Sequence, residues 1–136
     1  EMVKALAPLS TVVSGKLSLE APGHAGWQEW RRTGWEVRTS FTTPGEVNRL
    51  PWSHMEDRLQ YDLLPAAGKL TVPVFLLAGE LDARTPPEHQ KILLDALPGP
   101  KEFSVITGAP HTFGSARHLR EMKKHFRKWL RGLSRA

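Results

Sequence analysis

The sequence predicts an α/β layered fold in which a partial, mostly parallel sheet is flanked by helices. Three observations carry this reading. Residues 72–79, VPVFLLAG, form a continuous apolar run ending in glycine, as expected of a strand buried on both faces. PPEHQKILLDAL follows with helical spacing, and KEFSVITG then gives a second strand. Residues 115–133 supply another helix, with Leu119, Met122, Phe126, Trp129, Leu130 and Leu133 along one face. Strand, helix, strand, helix is a βαβα unit, whose strands should be parallel with a right-handed crossover.

The earlier elements follow in order. VKALAPLSTVV, residues 3–13, reads as a mostly apolar strand weakened by Pro8. Residues 14–34 hold turn residues and a short helix around Trp27 and Trp30. In WEVRTSF, residues 35–41, Trp35, Val37, Thr39 and Phe41 share one face and Glu36, Arg38 and Ser40 the other, the pattern of a half-buried strand or extended arm. Residues 42–52 carry Pro44, Gly45 and Pro51 and read as loop. SHMEDRLQYDLL opens with Ser53 as N-cap and Glu56 three residues on, a capping box, with Met55, Leu59 and Leu63 as the buried stripe and Pro65 as its limit. Thr85 is placed to cap the helix after the strand at 72–79, Pro86 and Pro87 suit its first turn, and Ile92, Leu93 and Ala96 face inward. One partial domain over residues 1–136 is expected, with 14–65 as a cap-like or linking segment and 66–136 as the βαβα unit.

Composition narrows the function. Hydrophobic residues make up 40% of the chain, enough for a core, and no apolar run is long enough to span a membrane. No signal-like segment opens the sequence, so a cytoplasmic protein without a membrane role is expected. There is no cysteine, which removes disulfides, thiolate nucleophiles and Cys-ligated zinc. The net charge is +5, and Arg117, Arg120, Lys123, Lys124, Arg127, Lys128, Arg131 and Arg135 lie near the C-terminus. That cluster fits the solvent side of one amphipathic helix. Nucleic acid is disfavoured as a partner because no reader motif accompanies the charge.

The chemistry concentrates at two strand ends. In open α/β sheets ligands bind beyond the carboxyl ends of the strands. Asp82 follows the strand at 72–78 and His111 follows the strand at 102–107. Parallel strands bring both loops to one edge, where Asp82 can accept the imidazole Nδ1–H and stabilise the cation formed when Nε2 takes a proton. A turn-capping Asp and an ordinary loop His are the competing reading.

VPVFLLAGELDARTPPEHQKILLDALPGPKEFSVITGAPHTF resembles the C-terminal part of the α/β-hydrolase superfamily. GELDARTP matches the acid-bearing turn and GAPHTF the histidine loop, in the order acid then histidine. EDRLQYDLLPAAGKL resembles the segment leading into the acid-bearing strand, and VKALAPLSTVV the strand after the nucleophile helix. The resemblance is tight over 61–130 and looser before. It implies Asp82 as the catalytic acid and His111 as the base of a hydrolase of carboxylic esters, thioesters or amides, with no cofactor or metal. Haloalkane or epoxide chemistry with an Asp nucleophile uses the same fold.

The family pattern is incomplete here. No serine has the G-x-S-x-G setting: Ser14 lies in VVSGK and Ser115 in FGSAR. No HGGG-like oxyanion segment is present. The chain is therefore expected to supply the acid and base but to be inactive alone, partnered by an N-terminal half or by self-association through an open sheet edge. A non-catalytic binding or assembly protein on the same fold is the alternative. Glu80 is a substitute acid, ranked below Asp82. His118, Glu121 and His125 share a helix face with metal-ligand residue types, though a solvated face explains them as well. Trp27, Trp30, Trp35 and Trp52 with Arg31, Arg32 and Arg38 allow base stacking, an acyl-pocket lining or plain packing.

Overall fold

A computed structural model of the chain describes residues 2–40 and 43–134. The described residues form six α-helices and four strands in the order α1 (Gly15–Glu20), α2 (Trp27–Thr33), β1 (Trp35–Thr39), β2 (Val47–Pro51), α3 (Ser53–Arg58), α4 (Leu64–Ala67), β3 (Val74–Gly79), α5 (Pro87–Ala96), β4 (Lys101–Ile106) and α6 (Ala116–Leu133). The α/β layering expected from the sequence is present, with β3 and β4 parallel from Val74 opposite Lys101 to Gly79 opposite Ile106.

All six residues of β3 are buried because both its edges and both its faces are covered. On one edge the Val74 and Glu80 N–H groups donate to Pro100 and Ile106 carbonyls of the β4 side. On the other, Phe75 and Leu77 N–H donate to Leu6 and Pro8 carbonyls. Residues 3–13 thus run parallel to β3, but as isolated bridges at Leu6 and Leu9 rather than a regular strand. Pro8 explains the gap, since it has no N–H to offer the ladder. One face of β3 places Val74 and Leu76 against Leu93, Leu97 and Ala67 of the α5 and α4 side. The other places Phe75 and Leu77 against α6, where the Phe75 ring lies 5.4 Å from Phe126 and 5.5 Å from Trp129.

Several local expectations are corrected. Residues 47–51 are a strand, not loop: β2 pairs antiparallel with β1 around a turn at Gly45, whose φ is +81°. The β1 faces are the reverse of the alternation reading. Trp35 and Val37 are exposed, while Glu36 and Arg38 are half-buried because they form an ion pair and Arg38 lies over the Trp30 ring at 5.9 Å. Phe41, read onto that face, lies outside the described residues, as does Arg135. Ser53 is inside α3 rather than its cap, so no capping box forms, and only Met55 of the expected stripe is buried. Pro65 sits in the first turn of α4. Ile92, Leu119 and Leu130 are exposed, because the seated stripes of α5 and α6 are narrower than their apolar patterns.

Candidate active site

Two loops leave the carboxyl ends of β3 and β4 on the same side. They can meet only because β3 ends in glycine. A Cβ on Gly79 would overlap the Ala109 carbonyl and stand 2.7 Å from the Pro110 carbonyl, so any side chain there pushes the histidine loop away. Three bonds tie the loops together. Leu81 N–H donates to Ala109 O at 2.9 Å, Glu80 N–H to Ile106 O at 3.0 Å, and Gly108 N–H to Glu80 Oε2 at 2.7 Å. Glu80 is therefore a loop staple, and its carboxylate is committed away from the imidazole.

Asp82 and His111 come together as the sequence predicts. His111 Nδ1 lies 2.9 Å from Asp82 Oδ2, with the Asp82 side chain wholly buried and the His111 side chain 41% exposed. With the carboxylate as acceptor, Nδ1 is the protonated nitrogen of the neutral ring. Nε2 makes no hydrogen bond among the described residues.

The acid is held from several directions. Asp82 Oδ1 accepts the Arg84 N–H at 3.0 Å and the Thr85 N–H at 2.9 Å, and Oδ2 accepts the Thr85 hydroxyl at 2.7 Å. Thr85 Oγ1 also lies 3.2 Å from His111 Nδ1. Burial alone would raise the Asp82 pKa. The imidazole and the two Thr85 donors outweigh it and hold the carboxyl well below its ordinary range. The Ser10 hydroxyl adds to the lowering from nearby, although its geometry falls short of a hydrogen bond and its Oγ is buried without such a partner. Ser10 reaches this position through a left-handed backbone, φ +43°.

Sequence reasoning found both members of the pair but missed what supports them. Thr85 was expected to cap α5; Pro86 holds that position instead, and the Thr85 side chain turns back onto Asp82. A buried Thr three residues after an acid is a readable Asx-type signal. The Ser10 contribution depends on chain contacts far apart in sequence and had no local signal. His118, Glu121 and His125 do not assemble with others into a group of three able to hold an ion, among the described residues. Ser115 caps α6 by accepting the His118 N–H at 3.1 Å. Of the tryptophans, Trp27 stacks on Trp52 at 6.4 Å and Trp30 meets Trp52 edge-on at 5.4 Å, while Trp35 is exposed and borders a hollow shared with Trp27 and Trp30.

The parallel β3–β4 layer with its flanking helices has the architecture of part of the α/β-hydrolase fold. Solved structures agree. Mouse alpha/beta hydrolase domain-containing protein 10 superposes with a TM-score of 0.67 at 22% identity, covering 98% of this chain and 54% of its own. Est1E from Butyrivibrio proteoclasticus gives 0.65 at 16% identity, covering 98% and 52%. A monoacylglycerol lipase from Paleococcus ferrophilus gives 0.61 at 18%, covering 98% and 60%. The chain thus spans about half the length of these structures. No family model and no curated protein matches the sequence. No helix among the described residues is long and apolar enough to cross a membrane.

Proposed function

We propose that the chain contributes the acid and base of a serine-type hydrolase acting on carboxylic esters, thioesters or amides, with the nucleophile and oxyanion hole supplied by other residues. The 2.9 Å contact between Asp82 Oδ2 and His111 Nδ1 at the carboxyl ends of two parallel strands carries this reading. His111 Nε2 takes the proton of the attacking hydroxyl and later returns it to the leaving group. Asp82, held ionised by its hydrogen bonds, steadies the imidazolium without taking the proton. Residues 14–65 form a cap-like segment tied to the acid loop by the Gly23 N–H, which donates to Ala83 O at 2.6 Å.

The residues that supply the nucleophile dock beside residues 4–10. The outer edge of that segment is unpaired among the described residues. Next to it lies an apolar hollow of about 460 Å³, lined by Leu6, Pro8, Leu63, Leu70, Leu76 and Leu93. The test is hydrolysis of an activated short-chain ester by the chain alone and by the longest product its gene encodes. The expected result is background for the first and turnover abolished by His111→Ala for the second. Turnover in the longer product that survives His111→Ala refutes the reading, and His111-dependent turnover by the chain alone refutes its dependence on other residues.

A further inference from the structure

Three arginines border one short chain of contacts. Arg58 Nη1 donates to Ser18 Oγ at 2.9 Å, and its Nη2 to His54 Nε2 at 2.8 Å. The Ser18 carbonyl accepts the His24 Nδ1–H at 2.8 Å, and the His24 ring stacks on Trp30 at 6.2 Å. Arg38 lies over the other partner of that stack, 5.9 Å from the Trp30 centroid. Arg84 joins this group through its stem, which lies against Gly23, next to His24: a Cβ added at Gly23 would stand 2.9 Å from Arg84 Cγ. All three side chains belong to half-buried residues.

The charge does not balance. Glu36 pairs with Arg38, and Asp82, the other acid that Arg84 senses, is already committed to His111 and Thr85. The Arg84 guanidinium makes no hydrogen bond or ion pair among the described residues, and Arg38 Nε is buried without a hydrogen-bond partner. Half-buried guanidiniums that repel each other are unfavourable unless an anion joins them. Consistent with this, burial and then the Arg38 charge depress the pKa of both Arg58 and Arg84.

We propose that Arg38, Arg58 and Arg84 form an anion site that takes a carboxylate or phosphate carried by the substrate, so that the enzyme acts on anionic esters or amides. The substrate clause rests on the hydrolase reading; the anion site does not. Placement supports the link. Arg84 follows Asp82 by two residues, so their Cα atoms are no more than about 7.5 Å apart, and the Arg84 N–H itself bonds Asp82 at 3.0 Å. The Arg84 backbone is thus part of the acid loop, which puts this residue of the proposed anion site beside the Asp82–His111 pair in the chain. Guanidinium forks suit both carboxylate and phosphate.

Titration calorimetry of the chain with inorganic phosphate and with succinate tests the site directly. Saturable binding is expected, weakened at least about tenfold by Arg58→Gln or Arg84→Gln and tightened by Glu36→Gln, which removes the competing carboxylate. Circular dichroism confirms that each variant is folded. The opposite response to Glu36→Gln separates an anion site from general loss of structure. No saturable binding, or binding unaltered by all three substitutions, overturns the proposal. A second arm compares a hemisuccinate ester with a neutral ester of the same alcohol in the longest gene product. A preference for the anionic ester that falls toward unity in Arg84→Gln supports the substrate clause. Anion binding without any such preference limits the site to a free anion and overturns that clause. If no ester is hydrolysed, the hydrolase reading fails, and calorimetry still decides the anion site.

Discussion

Gly79→Ala is the sharpest perturbation of the candidate site that touches none of its functional atoms. An alanine Cβ would stand 2.7 Å from Pro110 O and closer still to Ala109 O, against an ordinary contact of 3.4 Å or more. Both obstacles are backbone, so no rotamer change relieves them. Clearing Pro110 O alone takes a movement of about 0.7 Å, and clearing the nearer Ala109 O takes more. Such a shift carries the Leu81 N–H to Ala109 O bond from 2.9 Å past the limit of a hydrogen bond. It also strains the Gly108 N–H bond to Glu80. Overpacking costs about 1–3 kcal/mol, and each lost hydrogen bond about 1 kcal/mol. The total is about 4 kcal/mol, or a fall in Tm of about 15 °C for a domain of this size. Because His111 rides on the same loop, its Nδ1 leaves Asp82. Thermal unfolding by circular dichroism and NMR detection of the His111 ring N–H are the assays. Gly108→Ala is the control: its φ is +68° and nothing lies within 4 Å of the added Cβ, so it costs only about 1–2 kcal/mol of backbone strain. A Gly79→Ala protein that melts within a few degrees of the parent and keeps the His111 ring N–H bonded would refute the close-approach argument.

Other outcomes follow from the same geometry. Thr85→Val removes a donor to a buried carboxylate and should cost about 2 kcal/mol, raise the Asp82 pKa, and be largely restored by Thr85→Ser; chemical denaturation and carboxylate NMR titration check both parts. Asp82 has a depressed folded-state pKa, so its contribution is full above the unfolded carboxylate pKa of about 4 and is lost as pH falls through the folded value. The stability gap between the parent and Asp82→Asn should therefore be constant near neutrality and shrink under strong acid, as followed by urea unfolding against pH. His24 and His89 are both held low, chiefly by burial. Each favours the neutral ring, so stability should begin to fall as pH drops below about 6.5, with a smaller slope in His24→Gln.

What the sequence revealed follows from which interactions are local. The β3 run was legible because a strand covered on every side admits only apolar side chains, and VFLLAG is that pattern written out. Asp82 and His111 were legible as a pair because parallel strands carry their following loops to one edge whatever the intervening helix does. The hairpin was misread because its inward face is polar. Glu36 and Arg38 form an ion pair, and Arg38 lies over the Trp30 ring, so burial there runs against hydrophobic alternation. No period-two argument detects that, because the compensating ring comes from another element. Residues 47–51 were missed for a related reason: VNRLP has little strand propensity, and its partner β1 supplies the register. In the helices, Ile92, Leu119 and Leu130 show the reverse error, where an apolar face is broader than the surface available to cover it.

The choice between Glu80 and Asp82 shows why a motif needs its surroundings. Both are acids just past the same strand, and either could reach toward a neighbouring loop. Glu80 is exposed and its carboxylate accepts the Gly108 N–H, which fixes the histidine loop at its start. Asp82 turns inward, where two backbone N–H groups and the Thr85 hydroxyl occupy it from its own side and leave the His111 edge of Oδ2 to the imidazole. The two carboxylates thus divide the work by depth: the outer one sets where the loop lies, and the inner one sets how the ring on that loop is oriented. This division yields a discriminating test. Glu80→Gln retains an acceptor oxygen for Gly108, so loop and ring should both stay in place. Glu80→Ala loses the staple and should loosen the ring N–H in NMR exchange without altering the donors to Asp82. If instead Glu80→Gln disturbs the His111 ring as much as Asp82→Asn does, charge at Glu80 reaches the imidazole directly and the assignment of Asp82 as the orienting acid fails.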